Sequence, residues 1–257
     1  MNIPKKNIKK SWTVRQGTKP KRNSYTVIYN KNVKLIDDDT GELVAIFLKN
    51  VIPDKYIKIG RELISFKGTS TARGAYAGET KKRKTLTGKK SQSSVVGYLL
   101  PYLVKDPKPQ LSKATKQDID LYNGGLKDLY KYVDTIIKKI DPKGYSENLV
   151  TIKNMPSEYK ISKIVSNVQI NVDQIAHYHV DNGNANKYGT LMAFYPSDKP
   201  FKGGEFVLGE YNICFTLREG DLLYTNQFSP HGTFSISGNR ISAVGFQSKK
   251  LINYFNK

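Results

Sequence analysis

The chain carries only three histidines, His177, His179 and His231. Two of them share one short run, Ala176-His177-Tyr178-His179-Val180-Asp181-Asn182-Gly183-Asn184. On an extended strand, residues two apart share a face, so His179 and Asp181 can point the same way. His231 follows 52 residues after His179 (231 − 179). Two imidazoles and one carboxylate are the donor set of a facial triad, which holds Fe(II) by three corners of an octahedron and leaves three open. A bidentate 2-oxo acid and dioxygen suit the open corners. Nine residues past His231 comes Arg240-Ile241-Ser242, again with i and i+2 on one strand face. A guanidinium there can hold a carboxylate through two parallel bonds, and the hydroxyl can add a third. A lone His-x-Asp is common by chance; a later His and an Arg-x-Ser beyond it make the pattern specific. His177 shares a face with His179, so a His-x-His pair stands as the rival ligand set, with a rim or supporting role for His177 as the other reading.

These residues need a scaffold, and residues 159–250 supply a β texture. Short apolar runs (IVSNVQIN, QIAHYHV, TLMAFY, GEFVL, NICFTL, DLLYT, ISAVGF) alternate with Gly, Asn, Asp and Pro turns. About seven strands at that spacing suggest a jelly roll or barrel. Gly203 and Gly204 read as a turn between strands. Upstream, residues 25–50 alternate as strands, with DDDTGE as a hairpin turn. Residues 66–97 are polar, basic and Gly/Thr/Ser-rich, and read as a long loop. Residues 111–142 form the helical support: Leu126, Leu129, Tyr130, Val133, Ile136 and Ile137 fall at helical spacing, with a break at Gly124-Gly125 and a stop at Pro142 and Gly144. Residues 1–24 are expected to be a basic and partly flexible arm ahead of a single catalytic domain, 25–257.

Charge adds a second signal. The net charge is +20 over 257 residues. Residues 1–110 hold 24 Lys+Arg against 8 Asp+Glu, a net of +16; residues 111–257 hold 18 against 14, a net of +4. That asymmetry suggests a polyanion met mainly by the N-terminal half. Lys82 and Arg83, within Lys81–Lys84, are candidates to line a phosphate backbone; a solvated loop or a nuclear-import patch is the plainer reading. No apolar run approaches the roughly 20 residues that span a bilayer, the N-terminus has no secretory apolar region, and Cys214 stands alone, which excludes an internal disulfide framework and fits a reducing, intracellular compartment.

Residues 160–250 resemble the core of the Fe(II)/2-oxoglutarate dioxygenases, and within them the TET/JBP group of nucleic-acid base hydroxylases with its viral, phage and fungal members. The resemblance rests on His179-Val-Asp181-Asn-Gly-Asn184 as an H-x-D-x-x-N motif, on Gly203-Gly204-Glu205-Phe206, Gly220-Asp221, His231 and Arg240-Ile241-Ser242. Arg73-Gly74-Ala75-Tyr76-Ala77-Gly78 is similar to an Arg/Gly-rich stretch that precedes the core in that group. The fold it implies is α+β with a mostly β core: a double-stranded β-helix, or cupin-like jelly roll, with flanking helices and a basic N-terminal extension. The Gly/Pro punctuation of a second cupin motif is absent before His231. The resemblance implies iron ligation by His179, Asp181 and His231, 2-oxoglutarate held by Arg240 and Ser242, O2 as the second co-substrate, and ascorbate as an optional reductant. It implies that Asn184 faces the substrate base. His177, Tyr178, Arg73, Lys82 and Arg83 are the further substrate-side candidates, with Tyr188, Tyr195 and Phe228 as aromatics for stacking. The cysteine-rich zinc-binding region of the animal enzymes has no counterpart.

The expected activity is hydroxylation of a methyl group on 5-methylcytosine or thymine in DNA, with the base flipped from the stack. The partner is then nucleic acid, DNA first, with no membrane and no obligate protein partner, and the setting a nucleus or a virus- or phage-infected cell. The alternatives are a hydroxylase of a protein or small molecule, and a catalytically silent nucleic-acid-binding module.

Overall fold

The computed structural model describes residues 3–25, 27–66, 92–101, 104–197 and 199–257. The first strands are β1 (Lys5–Ile8), β2 (Val27–Tyr29), β3 (Val33–Asp37) and β4 (Leu43–Leu48). β3 and β4 pair antiparallel about the expected turn, where the Asp37 carboxylate accepts the Asp39 and Thr40 backbone N–H groups. The arm departs from expectation. β1 lies parallel to β3, and the N–H groups of Ser11 and Trp12 both donate to the Glu210 carbonyl. Its cations find acids: Lys9 is 3.4 Å from Asp38 and Asp39, and Lys10 is 2.9 Å from Glu210. Backbone pairing and ion pairs thus fix a segment that its composition alone marks as loose.

Next come α1 (Asp54–Glu62), β5 (Gln92–Val96), β6 (Tyr98–Leu99), β7 (Gln110–Leu111), α2 (Lys113–Gln117), α3 (Lys127–Ile140) and α4 (Pro142–Thr151). β5 corrects the long-loop reading of 66–97: its Ser- and Val-rich residues pair along a neighbouring strand. Most of that loop, including Arg73, Lys82 and Arg83, lies outside the described residues. The break at Gly124-Gly125 is a wide π turn, Leu121–Leu126, leading straight into α3. Pro142 opens α4 instead of closing the region, because the first helical position has no use for an N–H and suits proline's fixed φ.

The C-terminal half holds β8 (Asn167–Val172), β9 (Tyr188–Phe194), β10 (Lys202–Gly203), β11 (Phe206–Leu208), β12 (Ile213–Phe215), β13 (Leu222–Asn226), β14 (His231–Thr233), β15 (Ile236–Ser237), β16 (Ile241–Phe246) and α5 (Lys249–Phe255). Eight strands form one sheet in the order β1-β3-β4-β13-β9-β16-β8-β5, and four form a second, β14-β11-β12-β2. Alternation assigns each face of the large sheet. Val168, Ile170, Met192, Phe194, Ile241 and Ala243 pack with Leu129, Tyr130, Val133 and Ile137 of α3. Leu35, Phe47, Leu191, Ala193 and Leu223 pack on Phe206, Leu208, Ile213 and Phe215 of the small sheet. Buried on both sides, β9 is apolar throughout except Gly189 and Thr190. Since Ile241 and Ala243 face α3, Arg240, Ser242 and Val244 face the space between the sheets, and Val244 packs there. Among the described residues no helix is long and apolar enough to cross a membrane.

Candidate metal centre

Residues 174–181 are extended but are not a regular strand, unlike the strand expected of QIAHYHV. They join β14 through a narrow ladder: His179 and His231 exchange both backbone bonds, at 2.9 and 3.0 Å. That exchange sets the two imidazoles side by side, with ring centroids 4.3 Å apart. His179 Nε2 lies 3.7 Å from Asp181 Oδ1, and His231 Nε2 lies 3.8 Å from Asp181 Oδ2. Among the described residues, this is the one group of three such donors, all within 4.8 Å of one another. Ligands about 2.1 Å from a metal stand ~3 Å apart on neighbouring corners, so a small inward shift closes the three around an ion.

Hydrogen bonding has prepared both rings. His179 Nδ1 donates to the His177 carbonyl at 2.7 Å, and His231 Nδ1 donates to the Ser229 carbonyl at 2.9 Å. A carbonyl only accepts, so each proton sits on Nδ1 and each Nε2 offers its lone pair to the centre. Burial is the main force pulling the His231 pKa down to about 4; the facing His179 pushes the same way and Asp181 opposes. A neutral imidazole is the form that ligates a metal. The donor set of two nitrogens and one carboxylate therefore fits Fe(II), and among the described residues no further His, Cys, Asp or Glu joins the group.

The Asp181 turn is braced from behind. The Asp181 N–H donates to the Gln227 carbonyl at 3.1 Å, and the Asn184 N–H donates to the Asp181 carbonyl at 3.1 Å. The Asn184 side-chain amide donates to Gln227 Oε1, and the Gln227 N–H donates to the Lys187 carbonyl at 2.6 Å. Gln227 fits because residue 189 is glycine: a Cβ there would lie 2.3 Å from the Gln227 amide. Nothing in the motif spacing reveals Gln227, although a glycine inside an apolar strand signals a close approach.

Arg240 and Ser242 are both buried on the inner face of the large sheet. The Arg240 guanidinium donates from Nη1 to the Gly204 carbonyl and from Nη2 to the Gln174 carbonyl, each at 2.8 Å. Its Nε–H has no partner among the described residues. Burial pulls its pKa down to about 10, with Asp173 opposing that fall, so it stays charged at neutral pH. Two of the five N–H donors of a guanidinium are occupied, which leaves donors for a carboxylate. Gly204, at φ +68°, clears the space: a Cβ would come 2.8 Å from Nη1.

The remaining candidates separate. His177 stands outside the triad: its Nδ1 donates to the Gly17 carbonyl at 2.9 Å, and its buried Nε2 has no partner among the described residues. The rival His-x-His pair is therefore not assembled. Tyr178 is buried with Tyr25, Val207, Cys214 and Phe234, its hydroxyl against that of Tyr25, which removes it from the open side. Tyr188 bonds the Leu43 carbonyl, and Tyr195 packs edge-on against Phe201. Phe228, three residues before His231, is 45% exposed.

No protein-family model matches the chain, and no curated protein does. Among solved structures, NgTET1 in complex with 5mC DNA matches with a TM-score of 0.61 at 16% identity, over 96% of this chain and 83% of that one. A Pseudomonas putida prolyl-4-hydroxylase and the viral collagen prolyl hydroxylase from Paramecium Bursaria Chlorella virus-1 in its 2OG complex match with TM-scores of 0.40 and 0.38 at 14% identity. They are covered over 82% and 79% of this chain and 96% and 94% of theirs, and at that level carry no argument. The strand order β8-β16-β9-β13 facing β14-β11-β12 and the likeness to NgTET1 together show that this chain has the double-stranded β-helix fold.

Proposed function

We propose that the chain is an Fe(II)- and 2-oxoglutarate-dependent dioxygenase that hydroxylates the methyl group of 5-methylcytosine or thymine in DNA. The observation that carries this reading is the convergence of the His179 and His231 Nε2 atoms on the Asp181 carboxylate, with both Nδ1 protons tied to backbone carbonyls. His179, Asp181 and His231 hold the iron; Arg240, with Ser242 beside it, takes the far carboxylate of the co-substrate. Iron and 2-oxoglutarate together supply the activation of dioxygen for attack on a C–H bond. The chain's own residues do the rest. The Nδ1 latches aim the imidazoles, each Nε2 toward the Asp181 carboxylate, so no ring has to turn when the ion binds. The Gln227–Asn184 brace fixes Asp181. Phe206 stacks on His231 at 5.3 Å between centroids, closing its inner side to water. Phe228, which is exposed, offers a face to a flipped base.

The substrate class rests on the net charge of +20 and on the fold shared with a protein solved in complex with 5mC DNA. The test is nucleoside mass spectrometry after incubation with methylated DNA, unmethylated DNA and RNA. The reading expects a hydroxymethyl base in one of the DNA arms. Succinate formed with every nucleoside unchanged would remove the base-hydroxylase assignment and favour a peptide or small-molecule hydroxylase.

A further inference from the structure

Some of the chain's cations are paired with its own acids: Lys9, Lys10, Arg22, Lys49, Arg61 and Lys187 all sit in ion pairs with Asp or Glu. The C-terminal helix differs. α5 starts against the turn that carries the metal carboxylate: the Lys249 N–H donates to the Gly183 carbonyl at 3.0 Å, and Ser248 bridges to Asn184. From there the helix leads away beside an open groove of about 420 Å³ lined by Pro107, Lys108, Lys250, Asn253, Tyr254 and Lys257 among others, with Asp106 as its one carboxylate. Lys105 and Lys249 each adjoin a lining residue in sequence, and both are exposed. No ion pair joins Lys105, Lys108, Lys249 or Lys257 to an acid among the described residues.

We propose that this groove seats the phosphate backbone of the nucleic acid whose base enters the metal centre. The inference rests on the nucleic-acid reading above and assigns the face on which the strand lies. The helix runs six steps from Lys249 to Phe255, about 9 Å at 1.5 Å per residue, with Lys257 two residues beyond its end. That covers about three nucleotide steps at roughly 3.4 Å of axial rise per strand. Flexible ammonium groups at an open groove suit a backbone that must be gripped irrespective of sequence. Anchoring the strand at the start of α5 holds it within two residues of the Asp181 turn, where a flipped base has the shortest way to go. The half-buried Tyr254 and the exposed Asn253 add hydrogen-bonding groups of the kind that contact phosphate and sugar.

The experiment is fluorescence anisotropy of a 5-methylcytosine duplex against salt, with three forms of the full chain. They are wild type, Lys249→Glu/Lys257→Glu, and Lys138→Glu/Lys139→Glu, which makes the same charge change on exposed positions of α3 behind the large sheet. Each phosphate contact contributes about 0.9 to the slope of log affinity against log salt. The groove variant is expected to lose tenfold or more in affinity, with a slope shallower by about 2, while the α3 variant stays within about threefold. Melting curves of each variant establish that it is folded. Equal losses in both variants, or an unchanged groove variant, overturn the seat and leave the base-hydroxylase reading standing. A wild type that binds no DNA overturns both.

Discussion

Substitution of Gln227 asks whether the metal carboxylate is held by its neighbours or merely happens to lie near the two imidazoles. The Gln227 side chain accepts the Asn184 amide, and Asn184 in turn closes the Asp181 turn. Both residues are buried, at 3% and 7% exposure, so no solvent replaces a lost acceptor. Gln227→Ala leaves the Asn184 donor unsatisfied, at a cost of about 1–3 kcal/mol, and opens a hole against Gly189. Gln227→Met keeps most of the volume and removes only the acceptor. If the brace aims Asp181, both variants lose metal affinity by a factor of about 10–100, the range for partners that orient ligands, equivalent to ~1.4–2.7 kcal/mol. Met recovers part of the lost stability without recovering the affinity. The assay is an anaerobic Co(II) titration followed by visible absorption, with thermal melting of the same samples. A Gln227→Met protein that binds Co(II) like wild type would show that the amide pair only fills space.

Other expectations follow from named contacts. Arg240→Lys keeps the charge but loses the fork, so 2-oxoglutarate binding to the Co(II)-loaded protein should weaken about tenfold or more, with Co(II) affinity itself unchanged; equal 2-oxoglutarate affinity would displace Arg240 from the co-substrate role. Asp134 lies on the buried face of α3, and burial pushes its pKa up to about 7 despite hydrogen bonds from Ser162 and the Lys163 N–H. The folded state therefore binds this proton more tightly than the unfolded chain, whose carboxyl titrates near 3.8. The resulting stabilisation is full below about pH 4 and disappears as pH rises through 7. The gap in melting temperature between wild type and Asp134→Asn should change steadily across that window, in the direction that favours wild type at acid pH; a constant gap would contradict it. Gly60→Ala would place a Cβ 2.1 Å from the Phe194 ring at the α1–β9 contact. Despite alanine's better helix propensity, it should cost about 1–3 kcal/mol in denaturant unfolding.

The candidate site was legible in the sequence as far as its logic is local: His179 and Asp181 lie two residues apart in one short run, as do Arg240 and Ser242 at β16. The pairing that brings His231 to His179 is long-range, and spacing gives no register for it. Tyr178 reads as an aromatic beside the site until the turn of the backbone buries it against Tyr25. The arm failed for a related reason: its lysines look solvated in sequence, while Asp38, Asp39 and Glu210 that receive them lie 29 to 200 residues away. β5 hides in a polar run because its partner β8 presents Gln169 and Asn171 on one face, so Ser93 is matched by amides instead of apolar groups. Gln227 and Gly189 form a pair only across two strands, and neither is unusual on its own.

The central claim is that His179, Asp181 and His231 hold an iron to which 2-oxoglutarate chelates. Anaerobic addition of Fe(II) and then 2-oxoglutarate, followed by visible absorption, addresses it without any assumption about the final substrate. The account predicts a charge-transfer band that appears only with both additions and is abolished by His231→Ala in a protein that still melts cooperatively. Absence of the band in wild type, or its persistence in His231→Ala, would contradict it.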